Sequence, residues 1–255
     1  MGRNSILTAT SKGKARSHRV DAFGRRDAVE FAALKSHYED TYQAASRAAF
    51  PQDVARLEAT LRGLTDRLEP GARVLDLGCG AGDACVFLDR RGFSCTGVDI
   101  SERALALARD RLPERLFVAA RDDAVLDFAD ESFEALVCLG VLEHIPHPER
   151  TLTECRRVLI RGAPAIFVVA NAASPYFLFT RGTGQLYEAP RTLHQWAHFF
   201  ASAGFAVERI GRDLGPTPSW RHDRLIRSLK LLAHKCINRL PLALTYQFIF
   251  ELRAK

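Results

Sequence analysis

Three glycines stand at alternate positions just after an apolar run, and a carboxylate precedes them. Gly78, Gly80 and Gly82 follow residues 74–77, and Asp76 lies two residues before the first glycine. Glycine lets the backbone adopt conformations closed to other residues and lets a ligand approach the main chain. A carboxylate here would repel a pyrophosphate, and the spacing G-x-G-x-G differs from the G-x-G-x-x-G of dinucleotide sites. The segment therefore favours a ligand with a cationic head.

A second carboxylate ends the next apolar run. An acid at this position, Asp99, can accept hydrogen bonds from the hydroxyls of a bound ribose. S-adenosylmethionine (SAM) has an ammonium group, a sulfonium and a ribose but no phosphate, so it offers a partner to both acids. We therefore expect SAM as the cofactor. Two other interpretations stay open: a tight strand–helix turn without a ligand, and a dinucleotide-dependent oxidoreductase, which Asp76 and the glycine spacing disfavour.

Four segments in order along the chain carry a family resemblance. They are VLDLGCGAG, GVDIS, RDDAVLDFADESFEALVCLGVLEHI and ECRRVLIRGAPAIFVVAN. In these motifs, which cover about residues 70–172, the chain resembles the class I SAM-dependent methyltransferases. The similarity is greatest to the small-molecule group that includes enzymes of ubiquinone and menaquinone biosynthesis. The resemblance implies methyl transfer from SAM to a small-molecule acceptor.

The resemblance also implies where the methyl donor binds. The residues expected at this site are Tyr38, Asp76, Gly78, Cys79, Gly80, Asp99, Ile100, Asp122, Asp123, Cys138 and Leu139. Asp76 and the glycine loop would hold the methionine end, Asp99 the ribose, and Asp122 the adenine, with Asp123 contributing through its backbone. Relatives often have Gly-Asp before Ala, whereas this chain has Arg-Asp-Asp before Ala. The adenine contact is therefore assigned only to within one residue, Asp122 or Asp123.

The remaining donor contacts are expected from two other parts of the chain. Cys138 and Leu139 end the fourth predicted strand and would lie near the sulfonium. Family members often close an aromatic side chain from an N-terminal helix over the donor, and Tyr38 or Tyr42 is the candidate here. The alternative for both tyrosines is packing against the second helix.

Methyl transfer from a sulfonium depends on alignment of donor and acceptor and on exclusion of water. A hydroxyl acceptor must also lose a proton, and histidine is a suitable base near neutral pH. His144 follows the fourth predicted strand and is the candidate base, unless Glu143 and His144 only brace the following loop. Tyr42, Asn171 and His194 are the candidates for acceptor contacts, with turn formation or core packing as the alternatives.

The expected reaction is O-methylation of a secondary metabolite, a sugar or a quinone-like ring. N- or C-methylation on the same fold is one alternative. A noncatalytic protein that binds SAM, or that associates with a membrane, is another. No metal ion is expected, because the six cysteines form no C-x-x-C pair and mostly fall within apolar strand or helix patterns.

The order of predicted elements sets the fold class. Short β-branched runs alternate with helical segments near residues 82–91, 101–111 and 149–158. This alternation predicts a doubly wound α/β domain with a seven-stranded, mostly parallel, Rossmann-like sheet. We expect a disordered basic tail over 1–26, a helical lid over 27–69, and a SAM-binding domain over 70–255 with a helical insertion at about 215–240.

Charge and composition limit the partners and the location. The net charge is +6, but residues 27–220 carry 21 basic against 27 acidic groups, so the excess lies at the two ends. We therefore expect no nucleic-acid partner. No long apolar run or secretory signal is present, which predicts a cytoplasmic protein. Residues 221–240 combine a leucine stripe with basic side chains, so they either pack on the domain or contact an anionic membrane, where a lipid-linked acceptor would lie.

Overall fold

The computed structural model describes residues 31–44, 54–121, 125–175, 185–213 and 241–255. The predicted disordered tail over 1–26 and the basic insertion over 221–240 lie outside the described residues, so both stay predictions. Within the described ranges, no helix is both long enough and apolar enough to span a lipid bilayer.

Seven strands form one mixed sheet in the spatial order β3-β2-β1-β4-β5-β7-β6. The strands are Arg73–Leu77 (β1), Ser94–Asp99 (β2), Phe117–Ala119 (β3), Ala135–Leu139 (β4), Pro164–Ala170 (β5), Phe205–Asp213 (β6) and Gln247–Ala254 (β7). The first five are parallel, and β7 runs antiparallel to both β5 and β6. The predicted seven-stranded, mostly parallel sheet is confirmed.

The described residues include six α-helices that accompany the sheet. They are Phe31–Ala44 (α1), Val54–Thr65 (α2), Asp83–Asp89 (α3), Glu102–Arg111 (α4), Pro148–Val158 (α5) and Leu193–Ser202 (α6). Local capping explains where two of them begin. The Ser101 hydroxyl accepts a hydrogen bond from the Ala104 amide at the start of α4, and Thr192 and Gln195 form a capping box at the start of α6.

The two faces of the sheet bury separate apolar clusters. Along β5, Phe167 and Val169 face one cluster, which includes side chains of α5 and α6, whereas Ile166 and Val168 face the other, which includes side chains of α2, α3 and α4. This alternation follows from the two-residue period of a strand. Because both faces are covered, ligands can reach the parallel strands at their carboxyl ends, beside β1 and β4, between which the strand order reverses.

Five of the six cysteines are described, and all five are buried free thiols. Cys236 lies outside the described residues. Burial raises the pKa of the thiols at positions 79, 85, 95, 138 and 155, since a thiolate is poorly solvated in an apolar core. These cysteines therefore behave as apolar core residues.

A buried ion pair attaches α2 to the antiparallel edge of the sheet. Arg56 donates from Nε to Oδ1 of Asp213 (2.9 Å) and from Nη2 to Oδ2 (2.5 Å), and the Asp213 side chain is 3% exposed. Arg73 and Glu134 form a comparable pair at the surface, where the Arg73 side chain is 54% exposed. Removing one partner of the first pair would leave a buried charge without compensation.

We expect Arg56→Met to lower the free energy of unfolding by about 3 kcal/mol, because it removes the cationic partner of the buried Asp213 carboxylate. Arg73→Met is the matched control and should leave that free energy nearly unchanged, because water solvates Glu134 in its place. Urea denaturation of the two variants and the wild-type chain measures both effects. Equal losses in the two variants would contradict this interpretation of the α2 attachment.

Candidate functional site

A cavity of about 260 Å³ lies at the carboxyl edge of the sheet, between α1 and the segments that follow β1, β2 and β4. Its charged lining residues among those described are Asp76, Asp83 and Asp99, and no lysine or arginine joins them there. Phe31, Leu34, Leu126, Val141 and Ile145 supply apolar surface. The cavity is therefore apolar over much of its wall and negatively charged at its base.

The glycine loop between β1 and α3 forms the floor of this cavity. Gly78 and Gly80 both have positive φ, at 74° and 53°, a conformation that favours glycine. A Cβ at Gly78 would overlap the side chain of Val141, and a Cβ at Gly80 would overlap the Tyr42 hydroxyl. The Arg111 guanidinium donates to the Ala81 carbonyl at 2.7 Å and so holds the loop against α4. The loop needs glycine both for its backbone and for close approach.

Asp76 is buried at the end of β1 and borders the cavity. Its Oδ2 accepts a hydrogen bond from the Cys85 thiol at 3.4 Å. Burial raises the pKa of Asp76 to about 7, and the nearby carboxylates of Asp99 and Asp83 add to the shift, which the Cys85 hydrogen bond partly offsets. A cation bound beside Asp76 would favour its ionised form.

Asp99 ends β2 and connects the glycine loop to α4. Its Oδ2 accepts from the Gly80 amide at 2.8 Å, and its Oδ1 accepts from the Ser101 amide at 2.9 Å. Burial raises the pKa of Asp99, while these backbone hydrogen bonds act in the opposite direction. The Ile100 amide also interacts with this carboxylate. A carboxylate has about four acceptor sites, so Asp99 retains capacity for a ligand hydroxyl.

One face of α1 covers the cavity with Phe31, Leu34, Tyr38 and Tyr42. Both tyrosines are partly buried. Burial raises the pKa of each phenol, and the negative charge of Asp99 adds to the effect, so both remain protonated at neutral pH. They can therefore donate hydrogen bonds into the cavity.

His144 borders the cavity on a short 3₁₀ helix, Leu142–His144, just after β4. Its Nδ1 lies 2.9 Å from the carbonyl oxygen of Tyr187. A carbonyl only accepts hydrogen bonds, so Nδ1 of the neutral ring carries the proton and Nε2 keeps a lone pair. The neighbouring Glu143 is buried and accepts from the Ala170 amide at 3.0 Å, which ties this segment to the end of β5.

The structure brings most of the predicted donor-site residues together. Those that border the cavity are Tyr38, Asp76, Gly78, Cys79, Gly80, Asp99, Ile100 and Leu139. Cys138 does not join them, because its side chain packs into the cluster beneath α5 and α6. Asp122 and Asp123 lie outside the described residues, so the adenine contact stays a prediction.

The three predicted acceptor residues lie in different surroundings. Tyr42 borders the cavity. Asn171 is fully buried: its amide donates to the carbonyls of Ala243 (2.9 Å) and Thr245 (2.7 Å), and its oxygen accepts from the Ala173 amide (3.0 Å). These bonds occupy both of its donors in the packing of the chain, as a turn-forming role requires. His194 is exposed near the start of α6 and does not border the cavity.

Sequence reasoning missed the apolar residues beside His144. Val141 and Ile145 flank the 3₁₀ helix and line the cavity, and Val125 and Leu126 line it from the segment after β3. The available signal was position, because segments after parallel strands gather at the carboxyl edge of the sheet. Apolar side chains in such segments resemble core residues in the sequence and so attract no functional assignment.

Comparison with known proteins shows which proteins this chain is similar to. A family model described as a methyltransferase domain matches residues 75–167, which include the glycine loop, Asp99 and His144. The ubiquinone biosynthesis O-methyltransferase of Hahella chejuensis is 34% identical over 170 residues, which cover 64% of this chain and 71% of that protein.

Two solved structures share the fold. The [4+2]-cyclase SpnF has a TM-score of 0.65 at 18% identity, over 89% of this chain and 97% of that one. A SAM-dependent methyltransferase from Mesorhizobium loti has a TM-score of 0.57 at 22% identity, over 76% and 97%. At these identities the structural likeness shows the fold alone. With the family model and the Hahella relative, however, it leads to one conclusion: the chain belongs to the class I SAM-dependent methyltransferase family.

Proposed function

We propose that this chain binds SAM in the cavity and transfers its methyl group to a hydroxyl of a small, largely apolar acceptor. The observation that carries the proposal is the acidic character of the described cavity lining, which holds the buried carboxyl groups of Asp76 and Asp99 and no lysine or arginine. The third lining carboxylate, Asp83, is already paired with Arg111 at 2.7 Å. Such a site attracts a cationic ligand and repels phosphates. SAM carries an ammonium group and a sulfonium and no phosphate.

The residues at the cavity base fit this cofactor. The buried Asp76 carboxylate would accept hydrogen bonds from the ammonium group, which relieves the burial of an uncompensated charge. Gly78 and Gly80 would let the methionine portion approach the main chain. Asp99, whose oxygens retain hydrogen-bonding capacity, would accept from the ribose hydroxyls. When bound, SAM supplies an activated methyl group on a positively charged sulfur.

The chain's own residues then align the acceptor, exclude water and accept a proton. The tyrosines of α1 would close over the donor and keep water from the reacting atoms. His144 would take the acceptor's hydroxyl proton on Nε2, while the Tyr187 carbonyl holds Nδ1 in its protonated form. Oxygen is the proposed methylated atom because the Hahella relative is an O-methyltransferase and because this base is available.

The acceptor proposed is a hydroxylated ring. Phe31, Leu34, Val141 and Ile145 line the same cavity as His144 and would contact an apolar ring better than a sugar. The Hahella relative acts in ubiquinone biosynthesis, which supports the same substrate class. A panel of catechols and hydroxylated quinone precursors is the appropriate first screen.

Asp76→Asn should weaken binding of S-adenosylhomocysteine (SAH) by about 100-fold, because the amide cannot neutralise the ammonium group. Asp66→Asn removes an exposed carboxylate near the end of α2 and serves as the control, with wild-type affinity. Isothermal titration calorimetry at neutral pH measures both variants. Wild-type SAH affinity in Asp76→Asn would contradict the proposed donor site.

The same substitution should stabilise the SAH-free protein as the pH rises. Burial raises the pKa of Asp76 to about 7, so its protonated form favours folding at low pH and this contribution is lost as the pH rises through 7. Asparagine has no such dependence. The stability advantage of Asp76→Asn should therefore grow by about 2–3 kcal/mol between about pH 5 and pH 8, measured by urea denaturation. A constant difference between the two proteins would refute the raised pKa.

His144→Gln should lower kcat by about 100-fold on a hydroxylated acceptor, because the variant lacks the base, while SAH affinity stays unchanged. His147→Gln, which changes an exposed histidine three residues away, should retain the wild-type rate. Product formation is followed with labelled SAM and mass spectrometry. An unchanged rate of O-methylation in His144→Gln would contradict the assignment of His144 as the base.

A further inference from the structure

Glu39 of α1 makes a set of hydrogen bonds to the start of α4. Its Oε1 accepts from the Glu102 amide at 2.8 Å, and its Oε2 accepts from the Arg103 amide at 3.3 Å and from the Ser101 hydroxyl at 3.2 Å. The guanidinium of Arg103 donates back to the Glu39 carbonyl oxygen at 2.9 Å. Glu39 therefore joins two helices that are more than sixty residues apart in the chain.

The physical basis of this contact is the end of α4. The first amides of a helix have no partners within it, and they form the positive end of the helix dipole. The hydroxyl of Ser101, the residue just before α4, accepts a hydrogen bond from the Ala104 amide. The amides of Glu102 and Arg103 receive their acceptor from Glu39, so a carboxylate of α1 completes the cap of α4. The Glu39 side chain is 20% exposed, which limits screening of this charge by water.

Ser101 connects the same contact to the donor site. Its amide donates to Oδ1 of Asp99, the proposed ribose acceptor, and its hydroxyl donates to Glu39. Three residues after Glu39 on α1, the Tyr42 hydroxyl lies against Gly80. Ser101 therefore contacts both Asp99 and Glu39, and so links the position of α1 over the cavity to the hydrogen bonds of Asp99.

We propose that Glu39 is a positioning residue, which latches α1 over the bound donor by capping α4 beside Asp99. This role rests on the proposed function, because it assigns the donor to the cavity under α1. With the latch closed, Tyr38 and Tyr42 cover the donor, and donor exchange requires Glu39 to leave the end of α4. Glu39 touches no reacting atom and acts through the placement of the two tyrosines.

The test compares Glu39→Gln with Asp40→Asn. Both remove one carboxylate from α1 by an amide substitution, but Asp40 is exposed. SAH binding is measured by calorimetry, and the dissociation rate by stopped-flow displacement. Hydrogen exchange of the α1 amides is measured with and without SAH. Arg103→Ala perturbs the same contact from the α4 side and provides a second variant that leaves α1 intact.

We expect Glu39→Gln to bind SAH about tenfold more weakly, because SAH dissociates from it faster. The α1 amides of this variant should also lose their SAH-induced protection from hydrogen exchange. Arg103→Ala should change both quantities in the same direction by a smaller factor, and Asp40→Asn should behave as wild type. A lowered melting temperature with unchanged SAH affinity in Glu39→Gln would overturn the latch and leave a structural cap. Failure of the wild-type chain to bind SAH would instead overturn the proposed function, and this role with it.

Discussion

Burial of the Asp76 carboxylate at the end of a central strand is the constraint on which the site depends. The side chain is 2% exposed, and burial raises its pKa to about 7. A buried carboxylate disfavours folding unless hydrogen-bond donors or a cation meet it. The hydrogen bond it receives here comes from the Cys85 thiol, a weak donor. The folded chain thus keeps a buried carboxyl group whose ionised form is best stabilised by a cationic ligand.

The surrounding elements follow from this requirement. The sheet order brings the ends of β1 and β2 side by side, so Asp99 lies close to Asp76, and the glycine loop leaves the main chain accessible between them. Backbone amides hold Asp99, whereas among the described residues Asp76 receives its hydrogen bond from the Cys85 thiol. This difference suits one carboxylate to neutral hydroxyls and the other to a cation. Helix α1 then covers the charge with apolar and phenolic side chains, which lowers the local dielectric and strengthens the attraction for a cation.

The fold could be predicted because local patterns encode it, and the family resemblance together with the strand order predicted that most donor-site candidates border one cavity. β-branched runs, glycines at alternate positions and carboxylates at the ends of apolar runs are all visible in a single sequence. It was harder to predict from the sequence on which side of a strand each side chain would lie. Cys138 and Leu139 are adjacent on β4, and a strand alternates its faces, so Leu139 borders the cavity while Cys138 enters the core. Long-range contacts could not be predicted from local patterns. The Asn171 amide, for example, donates hydrogen bonds to carbonyls 72 and 74 residues away.

The proton balance of SAH binding tests the central claim most directly. At pH 7 the unliganded Asp76 is about half protonated, and an ammonium group beside it would favour the carboxylate. Calorimetry in buffers of different ionisation enthalpy should therefore show release of about half a proton per SAH bound at pH 7, and Asp76→Asn should lack this release. Binding of SAH with no proton release, or with the same release in Asp76→Asn, would contradict the pairing of this carboxylate with the cationic ligand.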